Sequence, residues 1–426
     1  MYKPKVAVVL FNLGGPDKPA SVRPFLVNLF KDPAILRVPF FIRPLLARVI
    51  AFARTKAASE NYAILGGKSP LLELTIEQAR ALEAAMPDLD AKCFVAMRYW
   101  HPFSLPTARE VKAWDPDEVV LVPLYPQYST TTTGSSLSAW REAAAQAGLM
   151  KPVTTLCCYH SDPGYLRATA AEVRRSYDKA RAELDPAIPL RILFSAHGLP
   201  ESIVKAGDPY QFQVERTVAG VVRALDMPGL DYTTCFQSRA TPQKWIDPST
   251  EVEIERAAHD KTAILVVPIA FVSEHSETLV ELDVEYRELA EKEGVPGYFR
   301  CPAQNSDPGF IEALAELVRA SMGRGPGLCS FVGGRTCPKP YKDCPHARAG
   351  AGVPAAFTRP FNAASTRIMV MPRIPSGAGK RGRSREPSRR ITSSKARAPP
   401  ALHTWDGSPP RKYRAKAVPG TSWFIR

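Results

Sequence analysis

Five glutamates, Glu274, Glu277, Glu281, Glu285 and Glu288, recur at spacings of three or four residues. Wound as an α-helix they fall within a stripe about 80° wide. Leu279, Leu282, Tyr286 and Leu289 form a separate apolar stripe, and Ser273 stands where an N-cap would. Most such rows are solvated helix faces, but this one follows an apolar run directly and has His275 in its first turn. Carboxylates in series with a histidine suit the handling of a divalent cation or of protons. A second histidine, His197, closes the apolar run 192–196 and is followed by Gly198-Leu199-Pro200. A histidine so placed is often a satisfied core residue; the small residues around this one point it into a cleft. The third candidate is Tyr125-Pro126-Gln127-Tyr128-Ser129 with the threonines, glycine and serines that follow it. It lacks the lysine and the spacing of a phosphate-binding loop, and instead suits a large, flat, mostly apolar ligand with a few acidic groups. Last come Cys329, Cys337 and Cys344, three thiols within sixteen residues among glycines and prolines. They read either as incidental thiols or as metal ligands.

Positioning these groups falls to apolar runs of strand length, 6–13, 93–98, 119–124, 192–196 and 263–272, separated by helical stretches such as 74–85, 165–184 and 214–225. Near-continuous apolar strands alternating with helices predict parallel sheets covered on both faces. Ligands of such sheets bind at the carboxyl ends of the strands, where His197, Glu274 and the aromatic loops fall. The chain reads as two similar α/β halves, 1–160 and 161–322, then a cysteine-bearing segment 323–347 and a tail 351–426. Residues 34–54 are apolar, with Arg37, Arg43, Arg48 and Arg54 interspersed. They predict either a buried helix or a basic, apolar lip resting on a membrane surface.

Charge narrows the class further. A formal net charge of +14 over 426 residues suggests nucleic acid, but the last 76 residues hold 16 of the 56 basic residues and 2 of the 42 acidic ones. Residues 1–350 therefore carry 40 of each sign and are neutral, which argues against a specific nucleic-acid partner. The tail, with 10 Pro, 6 Gly and 8 Ser, is expected to stay disordered, as a native extension or as the product of an altered reading frame. No run reaches the ~18 apolar residues of a membrane span. The start of the chain lacks a signal-peptide cleavage pattern, and eight cysteines are too sparse for a secreted disulfide scaffold. The expectation is a cytoplasmic protein, with the lip at 34–54 as its peripheral contact with a membrane surface.

Taken in order, Asn12-Leu13-Gly14-Gly15-Pro16, Met97-Arg98-Tyr99, the Tyr125–Ser136 run, Ser195-Ala196-His197-Gly198-Leu199-Pro200, Gln237-Ser238-Arg239 with Pro242-Gln243-Lys244-Trp245, and Glu274-His275-Ser276-Glu277-Thr278-Leu279 resemble the ferrochelatase family over residues 5–345. The resemblance implies two Rossmann-like, chelatase-type halves with a cleft between them. In that cleft ferrous iron, as substrate, enters protoporphyrin IX to give protohaem. His197 then matches the histidine that takes pyrrole protons or meets the metal, and Glu277 the glutamate across the cleft. Glu281 and Glu274 match an acidic path for the iron. Leu13, Arg98, Tyr99, Tyr125, Ser129 and Trp245 become porphyrin-binding candidates, with Lys68 a further candidate for the propionates. Relatives acting on coproporphyrin tend to have Tyr at the position of Leu13, which favours protoporphyrin here. A chelatase for another tetrapyrrole, and a haem- or metal-binding protein without turnover, are the alternatives. The second is kept open by Ala240-Thr241, where the family usually has Val-Gly. Some members carry a [2Fe–2S] cluster on three C-terminal cysteines and an internal one, which implies Cys329, Cys337 and Cys344 with Cys158. A zinc site would use the same four. The oligomeric state is not legible.

Overall fold

In the run Lys5–Asn12 every residue from Val6 onward is buried, and such a strand is stable only in the middle of a sheet covered on both faces. The computed structural model describes residues 3–238 and 243–350. Within them lie β1 (Lys5–Asn12), β2 (Asp90–Met97), β3 (Glu118–Pro123), β4 (Val153–Leu156), β5 (Leu190–His197), β6 (Tyr232–Gln237), β7 (Ala263–Pro268), β8 (Tyr298–Arg300) and β9 (Gly327–Cys329). They form two sheets, ordered β2-β1-β3-β4-β9 and β6-β5-β7-β8, and every pairing is parallel. The α/β class with two helix-flanked parallel sheets is thus observed.

Local chemistry sets where the helices begin. Two start with an Asp-Pro step: Asp162 accepts from the Tyr165 amide at 2.9 Å to open Pro163–Glu183, and Asp307 accepts from Gly309 and Phe310 to open Pro308–Met322. Proline tolerates the first helical position because its missing N–H would have no partner there.

Division of the chain is less linear than the sequence implies. Helix Pro308–Met322 sends Phe310, Leu314, Leu317 and Val318 into one core with Val6, Val8, Leu10, Val120 and Val122 of the first sheet. Strand β9 then adds to β4, pairing Leu156 with Cys329. Residues 161–322 therefore do not form one half by themselves, and the cysteine segment is an edge of the first sheet. The apolar run 263–272 also divides, because β7 ends at Pro268 and the chain beyond it is irregular and buried.

The buried-helix reading of residues 34–54 is overturned. Helix Arg43–Ile64 buries Ala47, Ala51, Ala58 and Tyr62, while Phe40, Phe41, Leu45, Val49 and Phe52 stay between 57% and 78% exposed. Small residues face the protein and large apolar ones face outward. Arg239 to Pro242, including the Ala240-Thr241 departure, and the tail 351–426 lie outside the described residues.

Candidate active site

His197 is the last residue of β5, and its neighbours fix it there. Adding a Cβ at Gly198 would bring it to 3.0 Å from the Gln237 carbonyl oxygen and 3.2 Å from the Trp245 ring. Glycine thus lets the buried Trp245 close over the loop that follows the histidine. Pro200 bridges to Trp245, and the amides of Glu201 and Ile246 complete that pairing. Trp245 therefore shapes the histidine loop. The imidazole remains 25% exposed, facing out from the strand end.

Opposite it the chain winds more widely than an α-helix. Residues Glu277–Glu285 form a π-helix, with α-helical turns resuming at Tyr286. The even 100° stripe is corrected accordingly, since an i→i+5 ladder changes the angle between successive side chains. Ser273 caps nothing; its hydroxyl donates to Gln78 Oε1 at 2.9 Å. Nor are the glutamates a solvated face. Glu277 and Glu281 are buried, Glu285 is half-buried and only Glu288 is exposed.

Glu277 Oε2 lies 2.9 Å from His197 Nδ1 and 4.0 Å from His275 Nε2. Burial alone would lower the basicity of His197, but the Glu277 charge and hydrogen bond outweigh it and leave its pKa raised. Burial acts the opposite way on Glu277, and His197 overrides it to keep the carboxyl below its usual range. A carboxylate only accepts, so the Nδ1 proton is shared toward Glu277 and Nε2 carries the basic lone pair. His275 is buried edge-on to Phe271, with no partner for Nδ1, and desolvation holds it neutral.

Glu281, one π-turn further on, accepts from Ser238 at 2.6 and 2.8 Å, from Gln237 Nε2 at 3.0 Å and from the Tyr286 hydroxyl at 3.1 Å. Burial, followed by the Glu277 charge, pushes it up to about 8. Glu285 is pushed up to about 7 by burial and accepts from Asn61 of the lip helix at 3.1 Å. Glu274 leaves this row. Its carboxylate takes Arg300 at 2.7 Å and the Ala303 amide at 2.8 Å, so its charge is already neutralised.

On the first sheet, Leu13 sits half-buried after β1, its carbonyl accepting from the Tyr99 amide at 2.9 Å. Gly14, at φ +84°, lets that loop approach Trp100, where a Cβ would be 3.0 Å from its amide nitrogen. Arg98 donates to Asp32 at 2.8 Å and to Ser135 at 2.6 Å, and Asp32 also takes the Tyr99 hydroxyl at 2.8 Å. Arg98 and Tyr99 are thereby tied into the wall. Ser129 is buried, donating to Asp208 at 3.0 Å, while Tyr125 is half-buried. Lys68 pairs with Glu73 at 2.5 Å on the surface. Asp32, Asp208, Asn61 and Arg300 escaped the sequence reading, having no motif and side-chain partners 17 to 224 residues away.

Strand β9 carries Cys329 beside the end of β4, where the Cys157 amide donates to the Cys329 carbonyl at 2.8 Å. Cys158, Cys329, Cys337 and Cys344 are buried, undisulfided, and close enough that Cys158 feels each of the other three electrostatically. Cys157 Sγ lies 3.5 Å from Cys158 Sγ. Among the described residues no group of three or more His, Cys, Asp or Glu is already drawn together as a metal cage, here or at His197.

Two helix-flanked parallel sheets, the second with a buried histidine–carboxylate pair beyond its strand ends, place the chain in the α/β class with a titratable cluster where ligands of such sheets bind. A family model described as Ferrochelatase matches residues 5–322. The chain is 54% identical over 351 residues to a ferrochelatase of Caulobacter vibrioides (strain NA1000 / CB15N), covering 82% of this chain and 99% of that protein. It is 51% identical to a ferrochelatase of Phenylobacterium zucineum (strain HLK1), covering 78% and 97%, and 48% identical to one of Hyphomonas neptunium (strain ATCC 15444), covering 80% and 95%. This chain belongs to the ferrochelatase family.

Proposed function

We propose that the protein is a ferrochelatase that inserts Fe²⁺ into protoporphyrin IX as the last step of haem synthesis. The 2.9 Å contact between His197 and Glu277 at the strand ends carries this reading. Insertion requires two pyrrole N–H protons to leave as iron–nitrogen bonds form. His197 Nε2 takes the two protons one after the other, handing the first to solvent at its exposed edge before accepting the second, and each time the imidazolium is stabilised through Nδ1 by the Glu277 carboxylate. Glu277 offers an oxygen ligand to the arriving iron, and Glu281 joins it on releasing its proton, which an approaching cation favours; iron can then exchange these oxygens for nitrogen. Tyr125 and the apolar Leu13 present a surface suited to a flat ring, and Leu13 favours the less acidic protoporphyrin. Arg98, Tyr99, Ser129 and Trp245 hold the walls to which these groups belong.

Two finer readings accompany it. The exposed residues Phe40, Phe41, Leu45, Val49 and Phe52, set among arginines, suit contact with an anionic membrane surface, and no described helix is long and apolar enough to cross one. Cys158, Cys329, Cys337 and Cys344 would hold a [2Fe–2S] cluster. The fit rests on four buried, free sulfurs gathered around Cys158. Such a cluster, when bound, supplies one-electron redox chemistry.

Anaerobic protein given Fe²⁺ and protoporphyrin IX should form the haem spectrum with multiple turnovers, and coproporphyrin should be the poorer substrate. His197→Ala should bind porphyrin yet lose roughly 10²–10⁴-fold in rate. Stoichiometric binding without turnover would reject the enzyme reading.

A further inference from the structure

Besides the pairing of β9 with β4, the described part of the cysteine segment meets helix Tyr210–Leu225 at a side-chain amide, that of Gln213, whose orientation is decided by its partners. Gln213 lies in helix Tyr210–Leu225 and has no exposed surface. On one side the Tyr128 backbone N–H meets Gln213 Oε1 at 2.7 Å. A backbone N–H can only donate, so the atom facing it is the amide oxygen, and the NH₂ group must face the other way. There it donates to Cys337 Sγ at 3.1 Å, and the Cys158 sulfur lies beside the same amide. The Tyr128 end is equally fixed. Its ring packs with Cys157, Cys158 and Leu328, and the next residue, Ser129, is held by Asp208.

Resting on the reading of the four cysteines as [2Fe–2S] ligands, we propose that Gln213 is a positioning residue that tunes this cluster and ties it to the Tyr125–Ser136 wall of the porphyrin cleft. N–H donors to cysteine sulfur stabilise the reduced, more negative cluster and raise its reduction potential. Because the same amide accepts the Tyr128 N–H, a shift of Cys337 is passed to the backbone of the loop that carries Tyr125 and Ser129. Asp208 and Thr217 support this junction from helix Tyr210–Leu225 and its approach, and Gln127 from the loop itself, its Nε2 donating to Thr217 Oγ1 at 3.0 Å.

Two substitutions separate the two ends of the amide. Gln213→Glu keeps an oxygen for Tyr128 and removes the donor to sulfur, whereas Gln213→Met removes both. Full-length wild type, Gln213→Glu and Gln213→Met are purified anaerobically, and each is assayed for iron and sulfide, titrated with dithionite at pH 8, and followed by amide hydrogen exchange. Gln213→Glu should disfavour reduction at least tenfold, about 59 mV for one electron, with Gln213→Met shifted in the same direction. The Tyr128 amide should stay protected in Gln213→Glu and exchange more than tenfold faster in Gln213→Met. A cluster of unchanged potential in both variants, or equal Tyr128 exchange in both, overturns the role of Gln213 while leaving the cluster in place. Wild-type protein without iron and sulfide overturns the cluster reading and this inference with it.

Discussion

At His197 the chemistry depends on a balance between desolvation and one carboxylate. Burial pulls the imidazole toward neutrality, the adjacent Glu277 charge pulls it toward the cation, and the charge wins. A base must be neutral to accept a proton, so kcat/KM in the wild type should rise with pH through the raised His197 pKa. Replacing Glu277 by Gln removes the charge and leaves desolvation, so the acid limb of the pH–rate profile should move to lower pH, with roughly a 10²-fold loss at the optimum. An unshifted limb would mean that another group sets it. Glu288→Gln is the internal control, since Glu288 is exposed, and its rate should stay within about twofold of wild type. In the sequence this pair was legible through the family resemblance, because residue types alone left His197 open as a satisfied core residue and the glutamates as a solvated helix face. Assigning Arg98 and Lys68 to the porphyrin was less secure, because the carboxylates that occupy them, Asp32 and Glu73, stand in no motif with them.

The π-helix Glu277–Glu285 shows what periodicity can and cannot reveal. An acidic segment after β7 was legible, as were the sheets themselves, because uninterrupted apolar runs have few other uses. Its winding was not legible, because 100° arithmetic assumes the ladder it sets out to find, and tertiary contacts with Ser238, Gln237 and Asn61 select the wider one. Helix Pro308–Met322 misled for a related reason, since the strand before it, β8, is in the second sheet while it packs on first-sheet residues such as Val6, Val8 and Val122, far earlier in the chain. The wider winding seats Glu281 in a buried site where its protonated form is favoured up to about pH 8. An unfolded chain releases that proton near pH 4.5. Between these values the native state binds more protons, so this residue costs stability as pH rises from 4.5 to 8. Glu281→Gln in metal-free protein should therefore raise stability at pH 8 by on the order of 2 kcal/mol, and the gain should vanish toward pH 4.5. A gain independent of pH, read by thermal melting across that range, would assign the effect to packing instead.

For the whole molecule, two surfaces compete to explain attraction to a membrane, and they differ in physics. Residues 1–350 are electrically balanced and present the apolar lip, whereas the +14 charge resides in residues 351–426. Lip contact is driven by apolar burial and resists salt; contact through the basic residues is screened within about 8–10 Å at 0.1–0.15 M ionic strength. Changing Phe40, Phe41 and Phe52 to Ser should lower partition onto phosphatidylserine-containing vesicles at least tenfold at 0.5 M salt without altering the melting temperature, since these side chains are already exposed. Removing residues 351–426 tests the other surface and the fold together. The sheets, the π-helix and the four cysteines all lie before residue 351, and the family match ends at residue 322. The shortened chain should therefore melt within a few degrees of the full one and insert iron at the same rate. Its net charge falls from +14 to 0, so it should no longer bind a cation exchanger at neutral pH, and its vesicle binding should become nearly independent of salt. Loss of iron insertion on truncation would place part of the catalytic unit beyond residue 350. Loss of vesicle binding with chemistry intact would transfer the membrane contact from the lip to the basic residues.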